Sequence, residues 1–325
     1  MRYFNVDIVV VDSVSLLQSA INAAVTGLRN DFPSLFIDLE GMNLGRHGSI
    51  SIMSLYVLTK RTVYLIDVCK LGNEAFSTSN GDGKSLKYLL ECPATLKVFF
   101  DARRDLEALS ALYGVSVDGI RDVQLMELGT RKGAKDFLAG LGKCVVKHST
   151  VSAVEKQAWE LIKSNTRRLF DPAFGGRYDI FNERPVREDI KKYCAGDVTV
   201  LPDLFKVYDA ILNQPEMKFW KLHVLGATKE RIRLARNLEF ASTSKFTARG
   251  PWDQEILDEA INQWNDDVLD NALNCEDDDF FEAEYDDVLD NALNCEEYDY
   301  GWEDDGPTSC RDIINDCDYE YYYSD

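Results

Sequence analysis

Over residues 1–125 of this 325-residue sequence, short β-branched runs alternate with helical patterns, and no other feature restricts the fold as much. Strands and amphipathic helices each have one apolar side to bury, so their alternation calls for a sheet with helices laid on it. Residues 7–11 read as a strand, followed by an amphipathic helix through Leu16, Leu17, Ile21 and Val25. Residues 35–39, 51–58 and 62–68 read as three strands joined by short turns. A parallel pair needs a crossover of a dozen or more residues, so these three are expected as an antiparallel meander. A helix over 84–91, a strand over 97–100 and a helix over 102–113, stopped by Gly114, complete this part. From 134 to 240 the pattern is mostly helical, with a loop-rich interruption at 171–185 that contains Pro172, Pro185 and the pair Gly175-Gly176. The expectation is an α/β fold: a mixed β-sheet flanked by helices, with a helical C-terminal half.

Charge divides the chain at Pro251. Residues 251–325 hold 27 of the 56 acidic residues and a single base, Arg311, which leaves 35 bases against 29 acids in residues 1–250. The acidic pI therefore belongs to the last quarter of the chain, and the +6 balance of the first 250 residues is compatible with a polyanionic substrate. The reading is two regions, a domain over 1–250 and an acidic, low-complexity, disordered tail over 251–325. Within that tail the segment 266–276 recurs unchanged at 286–296, and Val268, Leu269, Ala272 and Leu273 share one helical stripe. This is either a solvated acidic appendage or a docking peptide for a protein partner.

Several classes drop out. No run reaches the ~18 apolar residues of a membrane span, and Asp12 closes the apolar start, so neither a span nor a secretory signal is expected. The eight cysteines are scattered without a two-residue pairing, which points to a reduced compartment, cytoplasm or nucleus. The three histidines stand far apart, against a zinc centre. Residues 79–85 end like a phosphate loop, but Thr78 stands where that motif needs glycine.

Three groups of carboxylates remain. Asp38 and Glu40 lie two apart on an otherwise apolar strand, hence on one face, where they repel each other unless a cation intervenes or the face is solvated. Asp101 and Asp105 follow the next apolar strand; Asp105 falls in the first turn of a helix, and Asp101 suits its N-cap. Tyr193 and Asp197 are four apart on a late helix and share a face.

In this order the three groups resemble the DEDD family of 3′-to-5′ exonucleases, in its tyrosine-bearing, RNase D-like branch. The resemblance covers about residues 1–250, and the loop around Asp171-Pro172, Gly175-Gly176 and Arg184-Pro185 is similar to that of fungal members. It implies a ribonuclease H-like fold, a metal-dependent hydrolase and two divalent ions, Mg²⁺ or Mn²⁺. It further implies that Asp38 bridges both ions, that Glu40 and Asp197 hold the one activating water, and that Asp105 anchors the second while Tyr193 orients the water. Relatives often carry Asn or His at the place of Asp101, which makes Asp105 the expected ligand. The implied substrate is the 3′ end of single-stranded nucleic acid, RNA or DNA, with a catalytically silent binding module as the alternative. Met42, Asn43 and Leu44 are candidates for the terminal nucleotide, and Asp101 is a further candidate for substrate contact. Arg103, Arg104, Arg131, Lys132, Lys135, Arg167 and Arg168 are candidates for its backbone, as basic residues in a basic domain.

Overall fold

The computed structural model of the protein describes residues 6–29, 31–237, 248–252 and 257–266. The chain runs β1 (Asp7–Val11), α1 (Val14–Thr26), β2 (Leu35–Glu40), β3 (Ile52–Val57), β4 (Thr62–Asp67) and the short helices α2 (Val68–Leu71), α3 (Glu74–Ser77) and α4 (Leu86–Glu91). Then follow β5 (Lys97–Phe99), α5 (Arg103–Tyr113), β6 (Ile120–Asp122), α6 (Val123–Thr130), α7 (Leu141–His148), α8 (Ala153–Phe170), α9 (Glu188–Thr199), α10 (Leu201–Leu212) and α11 (Lys218–Arg236). The six strands form one mixed sheet in the order β1-β4-β3-β2-β5-β6. The β2-β3-β4 segment is the expected antiparallel meander, while β1 joins β4, β5 joins β2 and β6 joins β5 in parallel.

The two-residue period of β2 divides the core. Leu35, Ile37 and Leu39 pack on one side with Leu17 and Ile21 of α1, Leu89 of α4 and Leu109 of α5. Phe36 points to the opposite side, into a cluster with Trp159 of α8, Ile190 and Cys194 of α9 and Leu204 and Tyr208 of α10. Asp38 and Glu40 share the face of Phe36, because strand side chains alternate. They project beneath α9, which lies across β2, β3 and β4.

Three features depart from the sequence-based expectation. The β2–β3 connection is a loop over 41–51, pinched by hydrogen bonds from Ser49 N to Met42 O (2.9 Å) and Ser51 N to Glu40 O (2.7 Å). Gly41 is required there, since a Cβ on it would lie 1.9 Å from Ser49 O. Strand β6 and helix α6 lie outside the elements read from the sequence. β6 is three residues long, too short to display alternation, and α6 is buried at every position from Val123 to Gly129, so it has no polar face to mark its period. Finally, packing continues past the charge break at 251. Leu138 N donates to Ala248 O (2.9 Å) and Gly250 N to Asp136 O (2.7 Å). Residues 257–266 are helical, Trp252 meets Trp220 at 5.5 Å, and Trp264 meets Phe219 at 6.0 Å. The duplicated segments lie outside the described residues, apart from Asp266.

Candidate active site

Helix α9 carries Tyr193 and Asp197 one turn apart, and its placement over β2 brings Asp197 onto Asp38 and Glu40. One carboxylate oxygen from each of these three residues lies within 4.8 Å of the others. Asp105, in the first turn of α5, shares with Asp38 a cleft of about 360 Å³ that Leu44, Phe100, Asp101, Arg104 and Ala248 also line. All four carboxylates resist ionisation. Burial raises Asp38 to about 8, with Asp197 adding to the shift. Burial likewise pushes Glu40 well up, helped by Asp38 and Asp197, and does the same to Asp105, helped by Asp38. Asp197 is raised by burial although Lys163 opposes the shift. The Tyr193 phenol is also pushed up, by burial and then by Glu40. Crowded carboxylates of this kind call for protons or a cation. The donors on offer are all carboxylate oxygens, a set that suits Mg²⁺ or Mn²⁺ and disfavours zinc.

The site also contains a residue that sequence reasoning missed. Lys163 of α8 places Nζ 2.6 Å from both carboxylate oxygens of Asp197 and 3.5 Å from the centre of the Tyr193 ring. It is held there by the seating of α8 on α9, where Trp159 Nε1 donates to Gly196 O (3.1 Å). A lysine on a polar helix carries no mark of its own. The one available signal was the tryptophan four residues earlier on the same face.

Asp101 and Asp105 separate clearly. Asp101 has a left-handed backbone (φ 56°), and its two oxygens accept from Arg103 at 2.5 and 2.6 Å, with Arg231 Nη1 3.5 Å away. Burial works to raise its carboxyl, but Arg231 and Arg103 outweigh burial and hold it below the usual range. The turn is set by fully buried Asp122, which accepts from Asp101 N (3.0 Å), Ala102 N (3.1 Å), Gln124 N (3.0 Å) and Arg231 Nη1 (2.5 Å). Asp101 thus belongs to an ion network at the cleft's edge, while Asp105 is crowded by Asp38.

Of the remaining sequence candidates, Leu44 and Arg104 border the cleft, and Arg104 is exposed. Met42 Sδ accepts from Asn182 Nδ2 (3.1 Å), and Asn43 is exposed in a left-handed conformation. The basic set needs correction. Lys135 is buried, donates to Leu128 O (2.8 Å), Gly129 O (3.2 Å) and Arg131 O (2.5 Å), and lies over the Trp220 ring. It satisfies the last carbonyls of α6, which leaves no donor for a phosphate. Arg131 is bound to Glu127 and to Phe137 O (2.7 Å) in the same corner. Arg167 pairs with Asp171 (2.8 Å), whereas Lys132 and Arg168 are exposed.

The sequence model of a family described as 3′-5′ exonuclease matches residues 15–214. Among curated proteins, piRNA biogenesis protein EXD1 of Homo sapiens is 28% identical over 198 residues, 58% of this chain and 34% of its own length. The Xenopus laevis protein of that name is 26% identical over 196 residues, 59% of this chain and 40% of its own. The chain thus spans less than half the length of these curated relatives. Among solved structures, Trypanosoma brucei RNase D in complex with RNA U12 superposes with a TM-score of 0.59 at 20% identity, covering 79% of this chain and 80% of that one. The catalytic core of RRP6 from the same organism gives 0.51 at 16% identity, covering 73% and 54%. The sheet and its helices share the ribonuclease H-like fold of these structures.

Proposed function

The chain belongs to the 3′-5′ exonuclease family, and we propose that it is itself a metal-dependent 3′-to-5′ exonuclease acting on single-stranded nucleic acid, RNA by preference. The observation that carries this reading is that Asp197 clusters with Asp38 and Glu40, that Tyr193 stands within electrostatic reach of all three, and that Asp105 shares a cleft with Asp38, all five inside the matched span. In this reading Asp38, Glu40, Asp197 and Asp105 are the residues that would hold two divalent ions. When bound, such ions neutralise charge on the phosphate and lower the pKa of water. The chain's own groups do the rest. Tyr193 orients the attacking water from its place between the carboxylates and the Phe170 ring, exposed Arg104 meets a backbone phosphate at the rim, and Leu44 offers an apolar surface to the terminal nucleotide. The choice of RNA rests on the fold's likeness to an RNase D solved with RNA U12.

A second reading, a silent binding module of the same fold, is favoured by one observation: Lys163 gives the acidic cluster a cation from the chain itself. One assay separates the two. RNA and DNA oligonucleotides labelled at the 5′ end are incubated with the protein and Mg²⁺, Mn²⁺ or chelator. Single-nucleotide shortening that stops with chelator, with a blocked 3′ end and in Asp38→Asn is expected. Shortening that survives chelation, or products released from the 5′ end, would sink the nuclease reading, and binding without shortening would favour the module.

A further inference from the structure

The loop between α8 and α9 leaves large rings in water beside the site. Phe174 is 50% and Tyr178 40% exposed, on a surface that also holds exposed Arg168 and Arg177. Tyr178 is linked to the carboxylate site by ring contacts. Tyr178 packs on Phe170 with ring centres 6.0 Å apart, and Phe170 meets the Tyr193 ring edge-on at 5.1 Å. Two ring contacts therefore lead from solvent to the phenol among the carboxylates. The Arg167 guanidinium lies 5.4 Å from the centre of the Phe174 ring.

The loop is also firmly built. Asp171 accepts from Ala173 N (2.9 Å), Gly176 N donates to Asp171 O (3.0 Å), and Arg177 N donates to Leu169 O (3.1 Å). Gly176 sits so close to α8 that a Cβ on it would lie 2.6 Å from Leu169 C. At the far end Arg184 clamps Asp67 at 2.5 and 2.6 Å, and Asn182 accepts from Ser51 Oγ (2.6 Å). Rings held this way lose little freedom when a ligand covers them.

We propose that residues 171–183 form a stacking platform for single-stranded nucleic acid behind the 3′ end, with Phe174 and Tyr178 as the base-stacking rings. The proposal rests on the exonuclease reading and names how that site selects a single strand: a ring can stack only on a base that is already splayed out of a duplex. The local charge is mixed, since Arg167 pairs with Asp171 and Arg177 with Asp179 and Glu183. Stacking therefore supplies the affinity, and the arginines supply phosphate contacts that weaken with salt.

The test is binding of a labelled single-stranded 12-mer to the full chain in chelator, followed by fluorescence anisotropy. Base–aromatic stacking is worth about 1–3 kcal/mol per base, so Phe174→Ala and Tyr178→Ala should each weaken binding by roughly 5- to 150-fold. Tyr178→Trp should retain the affinity of the parent. A 12-mer made abasic behind its terminal nucleotide should bind the parent weakly and show no further loss with Tyr178→Ala. Both side chains are exposed, so equal melting temperatures of parent and variants verify folding. Parent-like affinity of both alanine variants for the intact 12-mer overturns the platform and leaves the exonuclease reading standing. Failure of the parent to bind any single strand overturns that reading as well.

Discussion

Lys163 places one ammonium against both oxygens of Asp197, the carboxylate that clusters with Asp38 and Glu40. Its own side chain is 23% exposed and that of Asp197 7%, so the pair stands between a surface bridge and a fully buried one. Removing the cation while leaving the carboxylates should cost about 2 kcal/mol. Lys163→Met is therefore expected to melt at a lower temperature than the parent in chelator, with the difference shrinking in saturating Mg²⁺ or Mn²⁺. An unchanged melting temperature in chelator would show that the acids do not depend on this lysine. Tyr193→Phe should behave differently, because the phenol is assigned to orienting water and not to holding metal. It should retain the stabilisation by Mn²⁺ and lose rate by about 10²-fold or more. Loss of the Mn²⁺ effect in this variant would make Tyr193 part of the metal-holding set.

Helix packing adds a pH dependence of its own. His148, at the end of α7, has Nδ1 2.7 Å from the Tyr208 hydroxyl of α10, and His223 of α11 stacks on Phe219 at 3.9 Å. Burial holds both imidazoles below their ordinary value. In the unfolded chain they take up protons near pH 6.5, where the folded protein still resists them. The unfolded state then binds more protons, so stability rises with pH in this window and falls as pH drops through about 6.5. The raised carboxylates of the site act with the opposite sign over the same range, so the histidine part is read as a difference in thermal unfolding: between pH 8 and 5 the parent should lose more stability, or gain less, than a His148→Gln/His223→Gln double variant. Identical slopes in the two proteins would assign the acid sensitivity to other groups. The same burial explains why some elements escaped the sequence. Helix α6 has no exposed stripe, and its end is closed by Lys135, a residue that reads as surface charge until its three carbonyl partners are seen.

At the scale of the whole chain, a basic domain is tethered to a strongly acidic segment. Residues 267–325 carry 22 acids and only Arg311. If the chain binds oligonucleotides as proposed, such a segment would compete as a polyanion at high effective concentration. The place to cut is set by packing and not by charge: Trp252 and Trp264 belong to the aromatic cluster on α11, so the shortened chain should end at 266 and not at 250. That chain is expected to bind a single strand more tightly than the full chain at low salt, with the gap closing as screening shortens the interaction. Equal affinities at low salt would remove the competing role, and the duplicated stripe would then be pursued as a protein-docking peptide.

What the sequence determined by itself came from periods of two and 3.6 residues. Alternation placed Asp38 and Glu40 on one face of β2, and the four-residue spacing placed Tyr193 and Asp197 on one face of α9, before any packing was known. The antiparallel meander followed from connection length, although the β2–β3 loop is longer than the turn expected there. Only the tertiary structure decided the rest. Asp101 and Asp105 are alike as sequence, and they part because Asp122 and Arg231, brought in from β6 and α11, fix the turn and leave Asp101 paired with arginines. Lys163 enters the site because Trp159 seats α8 on α9, and Lys135 leaves the list of phosphate contacts because α6 needs its end satisfied. A local pattern records which way a side chain points on its own element. Which distant group it meets is set by burial and long-range contact, and no local period encodes that.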